Sequence, residues 1–269
     1  MIRLPTGLDW WREEPAGSDW LARLPGIAEE LAERWSLQLG EPFESHTSLV
    51  LPSGEAVLKI NFPDEETEHE ADALAVWDSV GAVRLLDRAD EHHALLVERC
   101  CPATQLWTLP DDEATELAAD VLERLWVPAG EPFRRLENEA ARWAEELPAR
   151  PLERKVVDRA VSFLREAGPT QRESVLLHQD LHGGNVVLSE RGWLAIDAKP
   201  LVGEREFDVA SLIRDRRPTT KKQMERRLDY LVERLALEPE RTRGWAIAHA
   251  LAWNGDADMI ACARYLSAA

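Results

Sequence analysis

The sequence predicts an α+β protein with a small, strand-rich first lobe and a larger, helical second lobe. Three observations carry this prediction. Strand-like apolar stretches dominate residues 46–99, amphipathic helical patterns dominate the chain beyond residue 110, and the polar loop "HQDLHGGN" (178–185) interrupts the helical part between apolar flanks. At 269 residues the chain is long enough for one large domain or for two lobes with a substantial core.

The first lobe, placed at residues 1–99, combines strands with two helices. Apolar residues at helical spacing predict a helix over 17–37. "HTSLVLP" and "AVLKINF" flank the turn "SGE" and predict a β-hairpin, and 82–99 predicts two further strands. Residues 64–80 predict a helix whose first turn is acidic, which suits the helix dipole.

The second lobe, placed at residues 100–269, reads as helical on both sides of the polar loop. Amphipathic patterns predict helices within 111–126, 131–147 and 151–168, and again within 219–238 and 239–253. Directly after the loop, "VVLSERGWLAID" predicts two short strands around a tight turn.

Composition narrows the possible partners and compartment. The net charge of −18 argues against binding to a phosphate backbone and suits a cationic small molecule, although solubility alone also explains it. The start of the chain does not resemble a signal peptide, and we expect neither nucleic-acid nor membrane partners. The three cysteines lack metal-ligand spacing. We therefore expect a cytoplasmic monomer.

The polar loop has the spacing of a phosphoryl-transfer loop. His178, Asp180 and Asn185 match the His-x-Asp-x-x-x-x-Asn pattern in which the Asp meets the acceptor hydroxyl and the Asn holds magnesium. The predicted hairpin after the loop would return Asp197 to the side of Asn185. Together they would offer the oxygen ligands that a hard cation prefers.

Kinase chemistry also needs a lysine on the first-lobe sheet, paired with a helical glutamate. Lys59 ends the strand pattern "AVLK", and Glu70 shares a helical stripe with Leu74 and Trp77. Alone, Lys59 would be read as a strand-end lysine that reaches water. Beside the loop pattern, we predict that it contacts nucleotide phosphates.

Three other functions compete with this interpretation. His178 and His182, with Asp180 and Asp208, could serve a metal-dependent hydrolase, but the apolar β-like flanks and the Gly183–Gly184 pair argue against a helical metal motif. A binding-only pseudokinase would need a damaged set of residues. A kinase with another acceptor, such as hydroxyurea, a peptide antibiotic, a sugar or a metabolite, remains open, because loop residues say little about the acceptor.

The segment "LLHQDLHGGNVVLSERGWLAIDAKPLVGEREFDVASLI" closely resembles the aminoglycoside phosphotransferases, and most of all their streptomycin 6-kinase and hydroxyurea phosphotransferase branch. The resemblance extends to "AVLKI", "ETEHEADAL" and "ALLVER". It implies a bilobal, protein-kinase-like fold, ATP with Mg²⁺ as cofactors (GTP is not excluded), and phosphorylation of a hydroxyl on a small cationic antibiotic, streptomycin first. In this chain Gln179 replaces the glycine usual in the loop, and Ala198 replaces the usual proline.

The resemblance implies roles for particular loop residues. Asp180 would be the catalytic base or the carboxylate that orients the acceptor hydroxyl. Asn185 and Asp197 would hold Mg²⁺, and His178 would brace the loop. Asp208 would have the structural role of anchoring backbone amides of the loop.

The resemblance also implies a nucleotide site in the first lobe. Lys59, fixed by Glu70, would contact the phosphates. The Glu98 carbonyl and the Cys100 amide would pair with adenine. The chain lacks a glycine-rich pattern before Lys59, so amides around Ser48 would cover the phosphates instead.

Substrate contacts are sought among acids and aromatic residues of the second lobe. Trp253 shares a helical face with Trp245 and His249, with Asp256 shortly beyond, and Trp107 lies in another candidate stretch. Such groups suit a guanidinium-bearing substrate. The plainer interpretation, which we prefer for this pattern, is that the tryptophans belong to the core and the acids are solvated.

Overall fold

A computed structural model of the chain describes residues 2–216, 219–253 and 257–268. The chain divides into two compact units, Met1–Ala103 and Thr104–Ala269. The lobe boundary expected from the sequence, after residue 99, lies a few residues before this division. No helix within the described ranges is both long and apolar enough to cross a membrane.

The first unit is built on a four-stranded antiparallel sheet. Its strands are β1 (Ser48–Ser53), β2 (Ala56–Asn61), β3 (Leu85–Ala89) and β4 (Ala94–Glu98), in the spatial order β1-β2-β4-β3. The predicted hairpin is β1–β2, and the two further predicted strands are β3 and β4. Lys59 pairs with Val50 on one side and with Leu95 on the other, so it lies inside the sheet.

One long helix, α1 (Pro15–Arg34), covers this sheet and forms the core of the first unit. Apolar side chains at helical spacing on α1, among them Trp20, Leu24 and Leu31, pack in one cluster with Leu49 and Leu58 of the sheet. Each such side chain, when fully buried, contributes about 1.5–3 kcal/mol. This packing holds the strand that carries Lys59.

The second helix of the first unit is shorter than the sequence predicts. The prediction covered 64–80, whereas α2 spans Glu70–Trp77. Before it, the Asp64 carboxylate accepts hydrogen bonds from the backbone N–H groups of Glu66 and Thr67, at 3.0 and 2.8 Å, and closes a separate turn. At the far end Asp78 adopts a left-handed conformation (φ 44°), which stops the helix. Glu70 therefore lies in the first turn of α2.

The second unit is mainly helical. Its helices are α3 (Asp111–Leu125), α4 (Leu136–Glu146), α5 (Arg154–Ala167), α6 (Arg205–Asp208), α7 (Ala210–Ile213), α8 (Lys221–Leu235), α9 (Pro239–Ala252) and α10 (Ala257–Ser267). Helix α9 is buried on all sides, with Trp245 and Leu251 almost inaccessible to solvent. It packs against α5, α7, α8 and α10 and forms the centre of this unit.

Short strands in the second unit hold the polar loop. Strands β5 (Arg134–Arg135), β9 (Leu201–Gly203) and β6 (Val175–Leu177) form one sheet in that order, and β7 (Val186–Ser189) with β8 (Gly192–Ala195) forms the predicted hairpin. Residues 178–185 connect β6 to β7. Both ends of the loop are therefore fixed by buried strands.

Candidate active site

The backbone of the polar loop is held by a buried carboxylate. Asp208, at the end of α6, is inaccessible to solvent and accepts hydrogen bonds from the backbone N–H of Gln179 (2.7 Å), the backbone N–H of His178 (3.2 Å) and the indole N–H of Trp126 (2.9 Å). Burial raises the pKa of the Asp208 carboxyl to about 6, whereas these hydrogen bonds lower it. The start of the loop is thus fixed at two consecutive amides.

Gln179, which directly precedes the catalytic candidate Asp180, has a strained backbone. Gln179 has a φ of 69°, in the left-handed region that glycine adopts at no cost and other residues at roughly 1–2 kcal/mol. Its side-chain oxygen accepts a hydrogen bond from Arg134 (2.9 Å). Glycine would adopt this conformation without strain, and the contact with Arg134 holds the glutamine side chain that stands here instead.

His178 links the loop to the hairpin that follows it. Its side chain is fully buried, and its Nε2 lies 3.0 Å from the backbone oxygen of Ile196. Burial lowers the pKa of His178 to about 3, so the ring is neutral and Nε2 carries the hydrogen that it donates. The backbone oxygen of His178 in turn accepts from the N–H of Lys199 at 3.0 Å. Two hydrogen bonds therefore tie residue 178 to the segment 196–199.

Asp180 presents a carboxylate that remains partly open to solvent. Its side chain is 26% exposed, and its Oδ2 lies 3.9 Å from Nε2 of His182. Ser211 Oγ approaches Oδ1 at 3.4 Å, a distance at the long end for a hydrogen bond. Burial raises the pKa of Asp180; His182 lowers it, and Asp197 raises it further. A half-shielded carboxylate of this kind can accept a proton or orient a hydroxyl group.

Asn185 and Asp197 lie at the base of the β7–β8 hairpin. The backbone N–H of Ile196 donates to the backbone oxygen of Asn185 at 2.9 Å, which sets Asp197 one residue from this point. The side-chain amide of Asn185 donates to the backbone oxygen of Asp180 at 3.0 Å. Because the NH₂ group is held there, the amide oxygen faces the other way. An amide oxygen and a carboxylate placed in this manner fit the oxygen preference of Mg²⁺.

A tryptophan covers the two glycines of the loop, a contact that the sequence analysis did not predict. The indole N–H of Trp107 donates to Asp215 Oδ1 at 2.6 Å, and Asp215 Oδ2 accepts from the backbone N–H of Gly183 at 2.9 Å. The Trp107 ring stacks on His182, with ring centres 5.0 Å apart and planes 8° apart. His182 Nδ1 accepts from the backbone N–H of Gly184 at 3.0 Å, so the ring forms a hydrogen bond within the loop. Trp107, His182 and Asp215 thus form one assembly over the loop.

In the first unit, Lys59 is buried and paired. Its Nζ lies 2.7 and 2.6 Å from the two oxygens of Glu70, and the lysine and glutamate side chains are only 9% and 4% exposed. Asn61 adds a hydrogen bond to Glu70 Oε2 at 2.8 Å. The alternative of a strand-end lysine that reaches water is therefore wrong. The pair fixes the ammonium at one position within the sheet.

The other nucleotide candidates lie at the two ends of β2. Ser48 is buried, pairs with Asn61 at the Lys59 end of the strand, and has its Oγ 3.2 Å from that of Ser45. Glu98 pairs with Ala56 at the opposite end, and its carboxylate accepts from the backbone N–H of Arg84 at 2.7 Å. Cys100 follows β4 and is half-buried.

The substrate candidates are scattered within the second unit. Trp245 is fully buried, as the core interpretation requires, and Trp253 is half-buried with its ring centre 4.7 Å from that of His249. Asp256 lies outside the described residues. Trp107, which is 46% exposed, contacts the loop through Gly183 and His182.

The structure does not favour the metal-dependent hydrolase. Residues 178–185 form an irregular loop, so His178 and His182 do not share a helical face. Among the described residues there is also no group of three or more His, Cys, Asp or Glu side chains placed to hold a metal ion. The Asn185–Asp197 pair, which includes an amide, is a site of another kind.

The chain is similar in sequence to known antibiotic kinases. The family model described as aminoglycoside/hydroxyurea antibiotic resistance kinase matches residues 34–257. Streptomycin 6-kinase of Streptomyces glaucescens is 36% identical over 258 residues, covering 87% of this chain and 83% of the relative, and that of Streptomyces griseus is 34% identical, covering 93% and 89%.

Solved structures support the fold class. A thermostable mutant of aminoglycoside phosphotransferase APH(4)-Ia, in a complex with ADP and hygromycin B, superposes with a TM-score of 0.63 at 16% identity, covering 89% of this chain and 96% of that one. The predicted α+β, protein-kinase-like fold is thereby confirmed.

Proposed function

The chain belongs to the aminoglycoside/hydroxyurea antibiotic resistance kinases, and from this premise we propose that it transfers the γ-phosphoryl group of ATP to a hydroxyl of streptomycin. The observation that carries the proposal is the loop itself. The Asp180 side chain, 26% exposed, lies between the backbone amides that Asp208 holds and the base of the β7–β8 hairpin, where Asn185 and Asp197 lie. A rigid scaffold that leaves one carboxylate accessible suits a reaction governed by positioning.

Asp180 is the residue that meets the acceptor. Its carboxylate accepts the hydroxyl proton, or orients that hydroxyl for in-line attack, as the phosphoryl group leaves ADP. The raised pKa of Asp180 improves it as a proton acceptor. His178 stays neutral and holds the loop against Ile196.

Asn185 and Asp197 would hold Mg²⁺ through the amide oxygen and the carboxylate. The ion would neutralise charge on the nucleotide phosphates. The contact between the Asn185 amide and the Asp180 backbone oxygen ties the metal ligand to the catalytic residue. A shift in one is therefore transmitted to the other.

Lys59 supplies positive charge to the nucleotide phosphates. Glu70, which itself accepts a hydrogen bond from Asn61, holds the Lys59 side chain in place, so little side-chain entropy remains to be lost on binding. The backbone around Ser48 covers the phosphates, and the segment from Glu98, at the end of β4, to Cys100 receives the adenine.

Streptomycin is the proposed acceptor because its positive charge suits the acidic chain and the aromatic face beside the loop. Its guanidinium groups are cations, and the chain carries a net charge of −18. The exposed Trp107 face, held beside Asp215 and the loop, offers a cation–π surface. We assign Trp107 to substrate contact, whereas Trp253, half-buried on His249, is a weaker candidate.

The test is ATP- and Mg²⁺-dependent ADP release against a panel of acceptors. The panel contains streptomycin, a kanamycin-type aminoglycoside, a cyclic peptide antibiotic and hydroxyurea. Asp180→Asn serves as the inactive variant, and Asp158→Asn, at a carboxylate 60% exposed on α5, is the matched control. Binding of AMP-PNP is measured calorimetrically for each variant.

The expected result is streptomycin-dependent ADP release by the wild type and by Asp158→Asn. Asp180→Asn should lose turnover by about 10³-fold or more while it still binds AMP-PNP. Release with hydroxyurea or another acceptor alone would reject streptomycin and keep the kinase. Near-wild-type turnover by Asp180→Asn would refute the assignment of Asp180.

A further inference from the structure

Lys199 is a second buried lysine, and the roles proposed above do not use it. Lys199 is 5% exposed, and its Nζ lies 3.1 Å from Oδ1 of Asp197. Its backbone N–H donates to His178 at 3.0 Å, so it is fixed to the catalytic loop. Lysine is rarely buried unless its charge is paired. The ammonium is thus a built-in cation beside the proposed metal ligand.

The backbone explains why Lys199 reaches Asp197. Side chains two residues apart on an extended chain point the same way but do not ordinarily touch. Asp197 has a φ of 59°, in the left-handed region, and this local reversal brings the two side chains together. The hydrogen bonds from Ile196 to Asn185 and from Lys199 to His178 hold both sides of the reversal. The fold therefore maintains a disfavoured conformation that produces this ion pair.

Protein kinases hold two Mg²⁺ ions with the aspartate and asparagine at these positions of the motif. Here the ammonium of Lys199 engages Asp197 Oδ1 at 3.1 Å, so a second divalent ion would have to share this carboxylate with a fixed cation. We propose that the Lys199 ammonium takes the place of the second divalent cation, so that the enzyme–nucleotide complex binds a single Mg²⁺. This inference rests on the proposed kinase function.

The charges around the loop are consistent with this arrangement. Asp180 and Asp197 carry two negative charges, and Lys199 acts electrostatically on Asp180 as well as on Asp197. One divalent ion and one ammonium supply three positive charges to the phosphates. Two divalent ions would place the second one against a fixed ammonium, where like charges repel. A covalently attached cation also removes any need for metal beyond that bound with the nucleotide.

The experiment counts metal ions rather than turnover. Mn²⁺ replaces Mg²⁺, AMP-PNP replaces ATP, and electron paramagnetic resonance of free Mn²⁺ gives the number bound per protein–nucleotide complex. The wild type is compared with Lys199→Ser, which removes the charge and leaves room, and with Lys199→Arg, which keeps the charge. Lys155→Ser, at an exposed lysine on α5, is the matched control.

We expect one Mn²⁺ for the wild type, Lys155→Ser and Lys199→Arg, and two for Lys199→Ser. In a parallel assay at saturating MgATP, Lys199→Ser should lose about 100-fold in kcat at low free Mg²⁺ and regain activity as free Mg²⁺ rises, whereas the wild type should not respond. Circular dichroism verifies that each variant is folded.

Two Mn²⁺ ions in the wild type would overturn the inference, even if Lys199→Ser proved unfolded. A folded Lys199→Ser that still binds one ion would overturn it as well. If no Mn²⁺ binds together with AMP-PNP in the wild type, the kinase assignment itself fails, an outcome that differs from both.

Discussion

The buried pair of Lys59 and Glu70 allows stability and function to be separated by mutation. Glu70→Leu removes the carboxylate that lies 2.6 and 2.7 Å from the Lys59 ammonium, and the ammonium stays within the sheet. Lys59→Met leaves the carboxylate with its hydrogen bond from Asn61. The double variant, Lys59→Met with Glu70→Leu, removes both charges and fills the space with apolar atoms.

The expected magnitudes follow from the burial of both side chains, which are 9% and 4% exposed. Removal of one partner from a buried ion pair costs about 3–5 kcal/mol, because the other charge stays buried and loses this counter-charge. Lys59→Met should lie at the lower end of this range, since Asn61 still stabilises Glu70. The double variant should lie within about 2 kcal/mol of the wild type, with the remaining loss due to the donor of Asn61. The coupling free energy of the cycle is then about 4 kcal/mol or more.

Urea unfolding followed by far-ultraviolet circular dichroism and tryptophan fluorescence measures these free energies of unfolding. ADP release is assayed on the same samples. We expect all three variants to be inactive, although the double variant is nearly as stable as the wild type. A double variant as unstable as Glu70→Leu would refute the account of the pair. Turnover by the double variant would refute the role of Lys59.

Three further predictions concern the second unit. Burial and Arg214 hold the pKa of His249 well below its usual value, so the folded state keeps the ring neutral while the unfolded chain takes up a proton below about pH 6.5. Lowering the pH from 7.5 to 5.5 should therefore cost the wild type about 1.4 kcal/mol more stability in urea unfolding than it costs His249→Gln; equal losses would contradict this. Asp215→Ala should release Trp107 and lower kcat by about 10- to 100-fold, and the indole N–H resonance of Trp107, assigned with Trp107→Phe, should shift; an unchanged resonance would argue against the contact. Thr220→Ala should lose the capping box of α8 and about 1 kcal/mol of stability in urea unfolding, which Thr220→Ser should restore; a loss that Ser does not restore would point to another cause.

The predictable parts of the fold are those that depend on residues close together in the sequence. The β1–β2 hairpin follows from two alternating stretches around "SGE", and the β7–β8 hairpin from a short repeat of the same kind. Helix α2 was predicted too long, because the carboxylate of Asp64 closes its own turn and separates residues 64–69 from the helix. Side-chain competition with the helix is local, yet it leaves little trace in an apolar periodicity.

The missed parts of the candidate site depend on contacts between distant segments. The backbone of Trp107 meets Gly183, and its indole meets Asp215, more than a hundred residues away. No spacing rule connects such positions. Lys199 lay within the motif segment, but its significance depends on the left-handed φ of Asp197, which residue types alone do not specify. Among the described residues, only Lys59 and Lys199 are buried lysines. Because the chain has few lysines, a lysine inside the motif segment could have been suspected of a role.

The close cover of Trp107 over Gly183 and Gly184 has a consequence for how this enzyme can evolve. A methyl group added at Gly183 would lie 2.4 Å from Cδ1 of Trp107, and one at Gly184 would lie 2.8 Å from its Cη2. Either change alone would require the Trp107 ring to move. A smaller residue at 107 would remove that clash, whereas Asp215 Oδ2, 2.9 Å from the methyl group at Gly183, and His182 Cε1, 2.8 Å from the one at Gly184, would still have to shift. A residue larger than glycine at either position is therefore expected only after, or together with, a change at position 107.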